Sequence, residues 1–306
     1  MSDTQTVPVA SNGRGTLSRG SERVATIPCS WSRTAAALCA LGLASLPARA
    51  QGALPITKLA SDVYLIVAPS GNMVAQASPT GIVVVGAQSR ASTPGVLAAL
   101  RTISAAPIRY VIFAPGDSMG DEGDAGWSER NTTIVAHERM KMTAPNVVSA
   151  LGFSEVLQVY LDGQSLHAVH QPPGHTRADI IAHFETRRIL YLGNAFVAKG
   201  YPRIDVQSGA SIDSLIKEVA PFAGFSGVQI VPGRGPVSTA ADVGAYHAML
   251  QGVRDKVAAL MAQNKALGEI IAAKPTASWD AIYGRGGAPP DRFVENVYAS
   301  LKSNHP

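Results

Sequence analysis

Short apolar runs rich in β-branched and aromatic residues recur along the chain at residues 63–67, 82–85, 110–114 and 133–136, each bounded by Gly, Pro or Ser. Such runs read as strands. Between the second and third, Ser92-Thr93-Pro94 places a capping residue and a proline ahead of Val96-Leu97-Ala98-Ala99-Leu100, the signature of a helix start. A second series follows, with strand patterns near 156–160, 166–170, 180–184, 189–192 and 228–231 and a helical one near 212–219. Across 240–265 the apolar positions Val243, Tyr246, Leu250, Val253, Val257, Leu260 and Met261 recur every three or four residues, which predicts an amphipathic helix packed on the body of the domain. Two strand series with interspersed helices fit two sheets packed face to face with helices outside.

Residues 32–50 carry another pattern. Arg33 precedes an apolar run that extends to Leu46 and ends in Ala48-Arg49-Ala50. Basic flank, apolar run and small-x-small site together predict a secretory signal peptide cleaved between Ala50 and Gln51. The run is shorter than the roughly 20 apolar residues that a bilayer-spanning helix needs, so the mature chain is expected to carry no membrane span and to work in the periplasm or outside the cell. The expected layout is an N-terminal extension and signal peptide over 1–50, then one domain over 51–306 with a helical C-terminal extension from about 240.

Removing the first 50 residues changes the charge. They hold five of the 26 Lys and Arg and two of the 22 Asp and Glu, so 21 basic and 20 acidic residues remain, a net charge of +1. That balance gives no electrostatic reason to expect nucleic acid or a membrane surface as partner. Cys29 and Cys39 also fall in the removed segment, which leaves the mature chain without disulfides, thiolate ligands or a cysteine nucleophile.

The candidate chemistry lies in three turns: Pro173-Gly174-His175-Thr176, the strand end Tyr191-Leu192-Gly193-Asn194, and Val231-Pro232-Gly233-Arg234-Gly235-Pro236. With Asp62-Val63-Tyr64, Gly71-Asn72, the strand from Gly81, Tyr201-Pro202-Arg203-Ile204-Asp205 and the tail from Ala273 to Asp280, they resemble the metallo-β-lactamase superfamily from about residue 56 to about 301. The resemblance implies an α/β protein with the four-layer αββα sandwich of that superfamily. It also implies metal ligands in these turns and in a Thr-His-x-His-x-Asp-His loop following the strand 109–113.

Most of those ligands are missing. Matched in order, the loop places Pro115, Asp117, Met119 and Gly120 at its ligand positions; His175 is kept, an aspartate becomes Asn194 and a histidine becomes Arg234. Pro and Gly have no ligating side chain, a thioether is too soft for such a site, and Asn194 offers only a neutral carbonyl. Asp117 and His175 are too few for a catalytic zinc, which normally takes three protein ligands, and the expectation is that zinc is absent. The aspartate that in the family orients the loop is replaced by Gly86, in Val85-Gly86-Ala87-Gln88.

Arg234 keeps its charge at any physiological pH. It either pairs with Asp117, or with Asp121, Glu122 or Asp124, and fills the vacated cavity, or it binds an anionic group of a ligand. His175 either supports its turn through ring hydrogen bonds or serves as base or ligand contact. His170 reads as a wall residue, and His137, His183 and His247 as packing or surface residues. The acidic run 121–124 lacks the spacing of a calcium loop, and no Gly-x-Ser-x-Gly elbow is present. The expected ligand-contact residues are Asp117, Met119, His175, Asn194 and Arg234. The reading that follows is an exported, non-catalytic binding protein for a small anionic molecule or a periplasmic protein partner. The alternative is a hydrolase with a rebuilt mononuclear or metal-free site that uses Asp117 and His175.

Overall fold

The computed structural model describes residues 53–87, 89, 91–115, 127, 131–140 and 151–303. The signal-peptide segment and Asp117, Met119, Gly120, Asp121, Glu122 and Asp124 lie outside the described residues.

Twelve strands among the described residues form two sheets. The first takes β1 (Ile56–Lys58), β2 (Val63–Ala68), β3 (Gly71–Ser78), β4 (Gly81–Ala87), β5 (Ile108–Ala114), β6 (Thr133–His137) and β7 (Leu151–Phe153) in chain order. Its first four strands pair antiparallel and β4 to β7 pair parallel. The second sheet has the order β12-β11-β10-β9-β8, from β8 (Val156–Leu161), β9 (Gln164–His170), β10 (Ile180–Phe184), β11 (Ile189–Val197) and β12 (Gln229–Arg234). Only β11 and β12 run parallel there.

Alternation along the strands builds the layers. Val83, Val85, Ile112 and Ala114 face the second sheet, where Ile180, Ala182, Ile189 and Tyr191 meet them. Their neighbours Ile82, Val84, Val111 and Phe113 face the other way and receive Val96, Leu97 and Leu100 of α1 (Thr93–Ile103). Leu190 and Leu192 point outward from the second sheet onto α2 (Ile212–Val219), α3 (Ala240–Ala262) and α6 (Pro290–Ser303), through Leu215, Tyr246, Leu250 and Val297. Strands covered on both faces need apolar residues at successive positions, which explains runs such as Ile82-Val83-Val84-Val85. The result is the expected four-layer αββα sandwich. Two shorter helices, α4 (Leu267–Ala272) and α5 (Asp280–Tyr283), precede α6.

Three strands carry no clear sequence pattern. β1 and β7 have three residues each, and β3 is broken by Gly71, Asn72 and Gln76, polar or small positions that tertiary contacts satisfy. Gln76 is buried against Asp62, at 3.2 Å. β11 runs on to Val197, beyond the expected 189–192, with Gly193 at φ 53° and a shift of register against β12 there. Within the helical layer, the Ser300 hydroxyl of α6 accepts the backbone N–H of Ile212, the first residue of α2, at 2.9 Å. No helix among the described residues is long and apolar enough to cross a membrane.

Candidate functional site

The turn around His175 is organised by an acid that the motif does not include. Asp179 Oδ2 accepts the backbone N–H of His175 at 2.6 Å and of Thr176 at 2.8 Å. Its Oδ1 accepts the Thr176 hydroxyl at 2.8 Å and faces His175 Nδ1 at 3.3 Å. His175, Thr176 and Asp179 are all buried. With Nδ1 donating to a carboxylate, the basic nitrogen of the neutral ring is Nε2. This supports the turn, as one sequence reading held, and also sets the tautomer a base or ligand contact requires.

A second buried acid backs the same turn. Glu218 of α2 lies against Gly174, where a Cβ would overlap its Oε2 and the Leu215 side chain, so a glycine is required for this helix to approach. Both Glu218 oxygens are buried with no hydrogen-bond partner among the described residues. Burial, with a smaller contribution from the negative charge of Asp179, raises its pKa well above the ordinary carboxylate value.

The other two turns meet across β11 and β12. A Cβ on Gly233 would overlap Asn194 Oδ1 and the Gly193 backbone; the absent side chain lets the buried Asn194 amide lie against β12. Asn194 Nδ2 donates to the Pro115 carbonyl at 3.3 Å, joining the second turn to the residue that follows β5. Arg234, half-buried at the end of β12, donates from Nη1 to the Pro69 carbonyl at 3.3 Å and from Nη2 to the Ser70 carbonyl at 3.2 Å. Asn72 Nδ2 reaches the Pro232 and Gly235 carbonyls at 2.9 and 2.8 Å. The β2–β3 turn is thus fastened to the Arg234 turn from both sides. The Asp205 backbone N–H donates to the His175 carbonyl at 2.9 Å, so the segment after β11 holds the first turn as well.

Zinc, which the resemblance implies for such turns, does not fit the described donors. They offer one imidazole nitrogen, one amide and one guanidinium, and the guanidinium has no lone pair to give and a charge that opposes a metal cation. Among the described residues no group of three or more His, Cys, Asp or Glu side chains is placed to hold a metal ion. The positions expected at Asp117 and Met119, and the pairing of Arg234 with that loop, lie outside the described residues.

Asp179 and Glu218 were not legible as site residues. Asp179 follows the Pro-Gly-His-Thr turn by three positions, a spacing suited to an acid that accepts from its own turn. Glu218 sits in a helix pattern with nothing to mark it as buried. His183 is half-buried, its pKa lowered by burial, and His137 is fully inside, both in keeping with packing roles.

A comparison with protein-family models gives no match, and neither does a comparison with curated proteins. Solved structures do match. The chain is similar to a metallo-β-lactamase from Pontibacter korlensis, with 16% identity and TM-score 0.56 over 65% of this chain and 99% of that one. FIM-1 from Pseudomonas aeruginosa, solved in a mono-zinc form, gives 17% identity and TM-score 0.55 over 65% and 95%. The inverting sec-alkylsulfatase Pisa1 from Pseudomonas sp. gives 12% identity and TM-score 0.60 over 80% of this chain, which spans 50% of the sulfatase. With the two-sheet sandwich, the helices on both outer faces and the retained turns, these likenesses show that the chain has the metallo-β-lactamase fold.

Proposed function

We propose that this is an exported member of the fold that binds a small anionic molecule and does not hydrolyse by a zinc mechanism. The observation that carries the reading is Arg234, a permanent cation at the turn where the family holds a metal ligand, held in place by the Pro69 and Ser70 carbonyls. A carboxylate, phosphate ester or sulfate ester suits a guanidinium through paired N–H···O bonds. Calorimetry on the mature chain, residues 51–306, with a panel of such anions tests the reading. Micromolar binding that Arg234→Gln weakens at least tenfold is expected. Binding unchanged in that variant would overturn it.

A second reading, hydrolysis at a rebuilt site, is favoured by the Asp179 contact that leaves His175 Nε2 as the basic nitrogen. Asp117 would act with it. The two readings part on turnover. β-Lactam, thioester and sulfate-ester hydrolysis should stay at background and should not appear on adding zinc, whereas activity abolished by a chelator and restored by zinc would reject the binding-protein reading. Export is checked by intact mass: the periplasmic product should begin at or near Gln51, and a full-length product confined to the cytoplasm would argue against it.

A further inference from the structure

His137 ends β6 in the first sheet and His170 ends β9 in the second, and their rings lie face to face with centroids 3.8 Å apart and planes 4° from parallel. His137 Nε2 is 2.9 Å from the Ser154 carbonyl, and its Nδ1 receives the Arg139 backbone N–H at 3.3 Å. A carbonyl only accepts and an amide N–H only donates, so this ring is held as the neutral Nε2–H tautomer. His170 Nε2 is 3.1 Å from the Arg177 carbonyl, inside the turn that carries His175. The next residue, Gln171, donates its backbone N–H to the Asp179 carbonyl at 2.9 Å. The ring pair therefore joins the first sheet to the His175 turn.

We propose that His137 and His170 form an acid-released clip that holds the His175 turn to the first sheet, closed while the His137 ring is neutral and released when both rings are charged. His170 can take a proton at Nδ1, which has no partner among the described residues, and still keep its bond to Arg177. His137 can take one only by giving up the Arg139 N–H. Two charged rings at this spacing, one buried and one half-buried, repel. Among the charged neighbours, Glu138 draws a proton towards His137 and Arg139 opposes it. Glu155, whose carbonyl accepts the His170 N–H at 2.8 Å, lies on one segment bonded to His170, and Arg177 and Asp179 lie on the other. Burial, and to a smaller degree the charge of His170, hold His137 below the usual histidine range, against the pull of the Ser154 carbonyl. The clip is independent of what the site binds.

Hydrogen exchange on the mature protein from pH 8 to 4.5, corrected for intrinsic exchange, tests it. Peptides covering 137–140 and 168–179 should lose protection at least tenfold below pH 6 while a β11 peptide, 189–192, does not. His170→Phe keeps a ring in the stack that cannot be charged, and should abolish the loss. An equal loss in that variant, or no selective loss down to pH 4.5, overturns the proposal. If the variant does not fold, side-chain NMR of the wild type decides. His137 should protonate only in the pH range where these peptides open, and a His137 that protonates without opening overturns the clip.

Discussion

Glu218 and Arg234 show how differently two ionisable residues can be accommodated in one fold. A buried carboxyl without partners carries the desolvation penalty of its polar atoms, about 1–3 kcal/mol, and Glu218 has none among the described residues. Glu218→Met keeps the shape and removes the polar group, so chemical denaturation at pH 7 should show a gain of about 1–3 kcal/mol. Arg234 uses its planar fork to span two carbonyls. Arg234→Ala should cost about 1 kcal/mol, and Arg234→Lys should recover less than half, because a point charge cannot bridge both acceptors. The three turns were legible because the Gly and Pro residues that shape them stand in fixed order. The partners of those residues were not, since Glu218 and the Pro69–Ser70 carbonyls reach the turns through contacts that no local spacing encodes, and Asp179 is marked only by its three-residue offset from the turn.

Long, strongly patterned elements were read closely. The helix expected over 212–219 forms there, and the 240–265 pattern forms α3, ending at Ala262, where Leu260 and Met261 are only partly buried. α3 begins with a reciprocal cap in which the Thr239 side chain accepts the Asp242 N–H and the Asp242 carboxylate accepts the Thr239 N–H at 2.8 Å. Thr239→Ala should lower stability by about 1 kcal/mol in denaturant titration. A loss below a few tenths would mean that packing of Val243, Tyr246 and Leu250 alone sets the helix start. Strands of three residues and the Gln76-bearing β3 escaped detection because pairing and burial, rather than side-chain pattern, make them strands.

At the scale of the molecule, buried ionisable groups set opposing pH responses. His137 and His183 have lowered pKa values in the fold, each chiefly through burial. Their contribution is present above the unfolded value near 6.5 and is lost as pH falls through the folded values. Glu218, with a raised value, contributes the other way: stability is greatest below about 4.5 and declines as pH rises towards its folded pKa. Between pH 5 and 7 the two partly cancel. The melting temperature of Glu218→Met should therefore climb more steeply over that interval than that of the wild type, and parallel profiles would show that Glu218 is not protonated in the native protein.

The Ser300 hydroxyl that receives the Ile212 N–H makes the end of the chain a structural part of its middle. Ile212 opens α2, α2 presses Leu215 and Glu218 onto Gly174, and Gly174 precedes His175. On the same side, Phe293 of α6 stacks on Tyr201 with centroids 4.9 Å apart. A stop codon ahead of α6 would leave every residue of the three turns in place in the gene while withdrawing the prop beneath one of them. Shortened versions of this protein should be expected to lose the order of the His175 turn before they lose their sheets.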